Sequence, residues 1–261
     1  MGGFESLTLE VALWATVVIA FAGFVQGALG LGFPMVATPL IAFTTDMKTA
    51  VIWVLLPCLA AVAANVAKTG ALREALAQFW MMPLYMLVGA AIGTRLFIMA
   101  PQFPYSLLLA AMILLYLNLD RLGRARWTAL ETHRGFFAAV FGVAAGMSEG
   151  MANIAAPPLL VFYLALGLSP AMLVQALNIC FFVGKSTQFA TLATVGGVPV
   201  VQWLATLPLV LVATVTVLYG MKVRTRLDAA TYRRWLKHAL FVMALLLLVQ
   251  YAYGLVTTGT P

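Results

Sequence analysis

The stretch AGFVQGALGLGFPMVATPLIAF, residues 22–43, returns in altered form as FGVAAGMSEGMANIAAPPLLVF, residues 141–162. Both are apolar runs that glycines interrupt and that resume toward a proline. In lipid, a broken helix is tolerated only where protein or a polar cavity satisfies the freed backbone groups. Paired breaks at corresponding places in two halves of a chain therefore predict the binding site of a transporter. At an offset of about 119 positions the identical pairs are Gly23 with Gly142, Gly27 with Gly146, Ala37 with Ala156, Pro39 with Pro158, Leu40 with Leu159 and Phe43 with Phe162.

The composition is that of a polytopic helical membrane protein. Of the 261 residues, 64% are hydrophobic and only 9% are charged, and the mean hydropathy is +1.02. Apolar runs of about 20 residues, long enough to span a bilayer as helices, recur from end to end. The net charge of +7 is concentrated in short loops, which is typical of cytoplasmic loops and not of a nucleic-acid-binding surface. The two cysteines lie in apolar segments and give no metal framework, so no metal or cofactor is predicted.

The apolar pattern predicts five helical segments in each half of the chain. Residues 1–120 form the first membrane repeat, residues 121–134 a cytoplasmic basic linker, and residues 135–261 the second membrane repeat. Lys68, Arg73 and Glu74 indicate a connecting loop, and the second break is expected over residues 147–153. The segments are expected at about 7–27, 33–44, 49–67, 79–97 and 105–119, and at about 135–146, 154–166, 171–192, 203–219 and 239–255.

Loop charge predicts how the segments cross the membrane. If each broken stretch crossed once, the basic loops at residues 121–134 and 222–237 would lie on opposite sides. That is unfavourable, at up to about 1 kcal/mol per basic residue near an anionic leaflet. If each broken stretch is instead a pair of crossings or a re-entrant hairpin, both basic loops are cytoplasmic and both termini are outside. Five segments per half is an odd number, so the two repeats are predicted to be inverted relative to each other.

The predicted fold is therefore an all-α polytopic membrane protein with two inverted repeats of about five segments, each beginning with a broken or re-entrant helix pair. The second segment of the first pair has only about 12 residues, or about 18 Å of helix. That is shorter than a hydrocarbon core of about 30 Å. A half-helix that reaches from the midplane to one surface fits this length, although full spanning stays open.

The glycine break followed by Pro-Leu in both halves of a small polytopic chain resembles the TauE/SafE family of sulfite-exporter-like permeases. The resemblance covers nearly the whole chain. It implies a secondary transporter that moves small anions, often sulfur-containing ones such as sulfite or organosulfonates, typically outward across the bacterial inner membrane. The family usually shows adjacent glycines in these breaks, whereas Phe33-Pro34 and Met151-Ala152-Asn153 stand here. The resemblance rests on Gly23, Gly27, Gly30, Gly32 and Pro39-Leu40, on Gly142, Gly146, Gly150 and Pro158-Leu159, and on Pro83, Gly89 and Gly93.

Lys185 is the leading candidate for binding an anionic substrate. It lies in the middle of an apolar segment, where a central charge costs about 2.5–3.5 kcal/mol on insertion scales. Ser186 and Gln188 form a polar patch beside it. The alternative is a lysine whose ammonium group snorkels to the nearer surface.

Glu149, in the second break, has several interpretations. It is either a proton-coupling carboxylate or the ion-pair partner of Lys185, because an intramembrane ionisable group is functional by default. The alternatives are a residue that favours a helix N-terminus and a residue simply exposed at the break. Direct contact with an anion is the least expected role, since two negative charges repel.

The backbone at the breaks is the other candidate for substrate binding. Half-helices that begin at Gly30, Gly32, Gly150 and Asn153 would direct N–H groups and positive dipole ends at an anion. The alternative is that these glycines only allow close helix packing. Asn65, Asn153 and Asn178 can donate hydrogen bonds to substrate oxygens, or equally to a neighbouring helix.

The predicted function is a secondary transporter, an exporter of small anions that works by alternating access around a midplane site. A passive anion channel and a carboxylate importer of the same fold stay open as alternatives. An enzyme is not expected, because His133 and His238 lie in basic loops and no HExxH or GxSxG motif occurs. The expected partners are a small anion and the lipid bilayer, with no nucleic acid; a homodimer is left open.

Overall fold

The described part of the chain is all helical in the computed structural model. It comprises residues 9–118 and 132–224 and, further on, residues 234, 237, 238, 240–242, 244–249 and 251. No strand occurs among these residues. The helices are α1 (Leu9–Leu29), α2 (Phe33–Thr44), α3 (Met47–Thr69), α4 (Leu72–Phe79), α5 (Met81–Met99), α6 (Tyr105–Leu117), α7 (Arg134–Ala152), α8 (Ala156–Ala165), α9 (Pro170–Thr194), α10 (Val200–Ala205) and α11 (Leu207–Val223).

Five helical stretches in the described residues are long and apolar enough to cross a membrane. They are α1, α3, α5, α7 and the stretch Val200–Val223, which joins α10 and α11. Shorter apolar helices are α2, α6, α8 and Leu240–Val249. Helix α9 has 25 residues but is absent from both groups, because polar side chains interrupt its apolar sequence. This helix carries most of the candidate site.

Helices α3 and α9, which contribute residues to the candidate site, begin at capped N-termini. At the start of α3, the Asp46 carboxylate accepts hydrogen bonds from the N–H groups of Lys48 and Thr49. At the start of α9, the Ser169 hydroxyl accepts from Met172 N–H, and Pro170 occupies the first helical position. Such caps satisfy N–H groups that have no partner within the helix. The start of both helices is therefore specified by local side chains.

Both predicted helix breaks are present, and left-handed backbone makes each of them. Between α1 and α2, Gly30 has φ 80° and Gly32 has φ 113°, a region that glycine enters without steric cost. Between α7 and α8, Asn153 takes this role with φ 63°. Asparagine is among the few other residues that adopt this conformation readily. The predicted helix over residues 33–44 is confirmed as α2.

The expected extent of the second break is wrong. Residues 147–152 continue α7, and only Asn153, Ile154 and Ala155 lie between α7 and α8. Gly146 and Gly150 lie within the helix, where they form its contact surface with α5. A Cβ atom on Gly146 would overlap the Met86 carbonyl, and one on Gly150 would overlap the backbone of Thr94.

The first helix of each half packs along the fifth element of the other half. Helix α7 lies along α5, and α1 lies along α11. Small residues make both contacts close: a Cβ atom on Gly27 would overlap the Val217 carbonyl, and one on Gly89 would overlap the Val143 carbonyl. The succession of long, short, long, very short and long helices is the same in α1–α5 and α7–α11. The inverted orientation of these halves in the membrane stays a prediction.

One further expectation needs correction. The loop expected around Lys68, Arg73 and Glu74 contains helix α4, which buries Ala75 and Phe79, four residues apart, and exposes Arg73 and Glu74. The segment expected at 203–219 is present within the apolar stretch Val200–Val223, in which Thr206 separates α10 from α11. Most of the predicted basic linker at 121–134 and parts of the segment at 239–255 lie outside the described residues.

Substituting Gly146 with valine should destabilise the protein. The added side chain has no space against the α5 backbone, and overpacking of this kind costs about 1–3 kcal/mol. Thermal unfolding of purified protein in detergent measures the change. Gly135→Val is the matched control, because a Cβ atom at Gly135, on the same helix, meets nothing within 4 Å. Equal melting temperatures for the two variants would contradict the close α5–α7 contact.

Candidate functional site

Helix α9 contacts both helix breaks through one of its faces. Asn178 and Lys185 are seven residues apart, which places them on the same side of the helix and about 10 Å apart along its axis. Asn178 bonds to the first break and Lys185 to the second. The two residues lie on either side of the middle of α9. The candidate site is therefore a line of buried polar groups between the two breaks.

Lys185 forms a buried ion pair with Glu149 of α7. The distance from Lys185 Nζ to Glu149 Oε1 is 2.5 Å, and each residue is only 1% exposed. The ammonium group also donates to Asn153 Oδ1 and, at 3.4 Å, to Gln188 Oε1. The lysine therefore does not snorkel to a surface. Among the interpretations given above for Glu149, the ion pair with Lys185 is the one that is present in this structure.

Two amide side chains hold this ion pair in place. Gln188 Nε2 donates to the carbonyls of Glu149, at 3.1 Å, and Gly150, at 3.5 Å. These carbonyls belong to the last turn of α7, where the Glu149 carbonyl also accepts from the Asn153 N–H group at 2.9 Å. Asn153 Nδ2 donates to Thr38 Oγ1 of α2 at 2.8 Å. Because α2 belongs to the first half of the chain, the site joins both halves.

The first break is held by uncharged groups. Gln26 Oε1 accepts a hydrogen bond from Phe33 N–H at 3.0 Å, which caps the start of α2. Gln26 Nε2 donates to Asn178 Oδ1 at 3.0 Å, and Asn178 Nδ2 donates to the Gly30 carbonyl at 2.7 Å. The N–H group at the start of α2, predicted as an anion ligand, is thus already bonded to a side chain in this conformation.

Two buried amide oxygens near the first break lack hydrogen-bond donors among the described residues. They are Asn65 Oδ1 and Gln175 Oε1, and both residues are 0% exposed. Their amide nitrogens donate to the carbonyls of Gln26, at 3.4 Å, and Val66, at 3.2 Å. Gln175 was not among the predicted site residues. Its position three residues before Asn178 on an apolar helix was the available signal.

The remaining predicted residues are less closely tied to the pair. Ser186 is half-buried, and no hydrogen bond from its hydroxyl to the ion pair or its amide neighbours is found in the described residues. Gly150 packs inside the α5–α7 contact. Gly30 lies against Val174, and Gly32 is close to Val25, so both belong to the first break and not to the surroundings of Lys185.

The ion pair is closed off from solvent in this conformation. Lys185, Glu149, Asn153 and Gln188 are all at most 1% exposed. A cavity of about 310 Å³ lies at the ends of α3, α5 and α9, and Asp46, Lys48, Gln102, Tyr105 and Leu192 are among its lining residues. Leu192 is 1% exposed and stands seven residues beyond Lys185, on the same face of α9. Among the lining residues of this cavity, Leu192 is thus one that shares the Lys185 face of α9, about 10 Å along the helix from Lys185.

Comparison with known families decides the identity. A family model described as Sulfite exporter TauE/SafE matches residues 15–247, which covers most of the chain. The chain belongs to the TauE/SafE family. It is a multi-pass membrane transporter, and the resemblance seen in the glycine breaks is confirmed. No curated protein and no solved structure matches this TauE/SafE protein.

The matched region of the TauE/SafE protein contains both helix breaks and every residue of the buried polar line. The family match therefore concerns the same part of the chain that the geometry singles out. It identifies neither the anion nor the residues that bind it.

Neutralising Lys185 alone should destabilise this TauE/SafE protein more than neutralising both partners. Lys185→Met leaves the Glu149 charge buried without a partner, which costs about 3–5 kcal/mol for buried pairs. Lys185→Met combined with Glu149→Gln removes both charges and should be clearly more stable than the single variant. Thermal unfolding of the four members of the double-mutant cycle measures the coupling. Lys68→Met, at an exposed lysine, is the control, and additive effects would contradict the ion pair.

Proposed function

We propose that this protein is a secondary transporter that exports small anions, sulfur-containing ones such as sulfite or organosulfonates, across the bacterial inner membrane. Lys185 is the cation that binds the transported anion. The observation that carries the proposal is a fully buried ammonium group that lies at a helix break of a TauE/SafE transporter and bonds to groups from α7, α9 and the second break. Buried charges of this kind in membrane proteins mark substrate pathways.

The chemistry of the pair suits an oxyanion. The Glu149 carboxylate now occupies the position beside the ammonium group, and a sulfonate, sulfite or carboxylate oxygen is a similar acceptor. Asn153 and Gln188 offer amide N–H groups close by, bonded at present to Thr38 and to the last carbonyls of α7. Asn178 and Asn65 extend the polar line toward the first break. A bound anion thus finds a charge and hydrogen-bond donors in an otherwise apolar interior.

Alternating access follows from where the site lies between the two repeats. The break between α7 and α8 meets α2 of the first half through Asn153 and Thr38, so a shift of one half against the other changes the surroundings of Lys185. In the conformation described here, Lys185 is buried, and the 310 Å³ cavity has Leu192 of the same helix in its lining. In the proposed cycle, a path along α9 past Leu192 connects Lys185 with that cavity. In the proposed topology this side is extracytoplasmic, and the basic loops are cytoplasmic.

Anion counterflow in liposomes tests the proposal. Preloaded sulfite, sulfoacetate or methanesulfonate should drive saturable uptake of the same labelled anion by the wild-type protein. The double variant Lys185→Met with Glu149→Gln keeps the interior neutral, and it should bind anions about 10–100-fold more weakly, because a charge-assisted hydrogen bond contributes about 1.5–3 kcal/mol. Lys68→Met should transport as the wild type does.

The alternatives give different results in the same assay. Flux that rises linearly with the gradient and shows no counterflow would indicate a passive channel. Counterflow with simple carboxylates and none with sulfur oxyanions would indicate a carboxylate carrier. Unchanged anion affinity in the double variant would show that Lys185 does not bind the anion.

A further inference from the structure

Among the residues that the structure describes, the helices packed against α7 bring no second cation to the Lys185–Glu149 pair. Of the helices packed against α7, helices α6 and α8 carry no charged residue, α9 carries only Lys185, and α5 carries only Arg95, which is exposed. Helix α3 contributes the buried Cys58 thiol, which is close enough to interact with both charges of the pair. The neutral titratable side chains of the packed helices are Tyr85 on α5, Tyr105 and Tyr116 on α6, Tyr163 on α8 and Cys180 on α9.

Glu149 depends on Lys185 for its stability as a carboxylate. No hydrogen bond to its Oε1 atom is found among the described residues. The ion pair with Lys185 is therefore the interaction that stabilises this oxygen. Its side chain runs past Gly184 of α9, where an added Cβ atom would come within 3.3 Å of Glu149 Cγ, and close to Met86 of α5. These neighbours offer an apolar surface. A Glu149 carboxylate displaced from Lys185 would therefore be a buried charge without a partner.

Charge neutrality at the buried pair then requires that a proton accompany a bound anion. The ion pair brings together one positive and one negative charge. A monoanion that binds to the Lys185 ammonium group displaces Glu149 and leaves one uncompensated negative charge in the interior. Neutrality returns when the Glu149 carboxylate takes up one proton and becomes a carboxylic acid, while Lys185 stays protonated and pairs with the anion.

We propose that the protein carries a proton together with each anion, and that Glu149 holds this proton while the anion occupies Lys185. This inference rests on the proposed function, because it concerns the same site. Transport of a monoanion is then electroneutral. Its net direction depends on the anion and pH gradients and not on the membrane potential. Release of the proton and re-formation of the ion pair accompany release of the anion on the other side.

Methanesulfonate is a suitable probe because it is the anion of a strong acid, so it stays unprotonated and cannot carry the proton itself. The wild-type protein is reconstituted into liposomes that contain a trapped pH indicator, with the membrane potential clamped at zero. Inward movement of labelled methanesulfonate should acidify the lumen by about one proton per anion, as neutrality of the buried site requires. An acidic outside should accelerate uptake, and an imposed potential should not change it.

Glu149→Gln separates the proton from the anion. The glutamine cannot take up or release a proton at this position, so anion that still enters through this variant should no longer acidify the lumen, and external acid should no longer accelerate its entry. Glu74→Gln, at an exposed carboxylate of α4, is the matched control and should retain both. The number of protons that enter with each anion in the wild-type protein tests proton coupling even if Glu149→Gln does not fold.

The outcomes distinguish this inference from the proposed function. Methanesulfonate counterflow without luminal acidification, or with a current that follows the membrane potential, would overturn proton coupling and leave anion transport in place. Proton movement retained in Glu149→Gln would overturn the role of Glu149. Absence of counterflow for methanesulfonate, sulfite and sulfoacetate in the wild-type protein would overturn the proposed function, and the coupling with it.

Discussion

A lysine ammonium group buried in an apolar interior has to be neutralised where it lies, and much of the local structure serves that constraint. Glu149 reaches Lys185 only because α7 continues as a helix through residues 147–152 and carries the carboxylate to the end of its last turn. Gly184 gives the glutamate side chain room to pass α9. Gln188 donates to two carbonyls of that last turn. The helix bounds, the glycine positions and the amide contacts are thus parts of one arrangement.

Each helix break leaves backbone groups without partners in the helix, and different side chains bond these groups at the two breaks. At the first, neutral amides from Gln26 and Asn178 bond the Phe33 N–H group and the Gly30 carbonyl. At the second, a charged pair and two amides occupy the corresponding region, with Asn153 in the left-handed conformation that glycines supply at the first. The halves share a backbone plan and differ in charge. The side chains at the first break thus serve to satisfy the backbone. The second break holds the only fully buried charges among the described residues.

The sequence predicted the features that depend on composition and spacing. Local patterns predicted helix α2, the two breaks and a lysine within an apolar helix, and the structure contains all three. The extent of the second break could not be predicted, because a glycine that interrupts a helix and a glycine that packs against a neighbour look alike in sequence. Gly150 belongs to the second kind, which only its contact with α5 reveals. Helix α4 was missed because its eight residues carry charges that resemble a loop, and Gln175 because its partner is distant in the chain.

The reciprocal contacts of α1 with α11 and of α7 with α5 also bear on how the protein is made. The glycine-lined face of α1 enters the membrane early in synthesis, but the helix that fits it is among the last described elements to emerge. Until then this face meets lipid or a temporary neighbour. The halves cannot mature one after the other as independent domains, since each completes the packing of the other. The α1–α11 contact therefore forms late in assembly, whereas Lys185 and Glu149 both belong to the second half and meet within it.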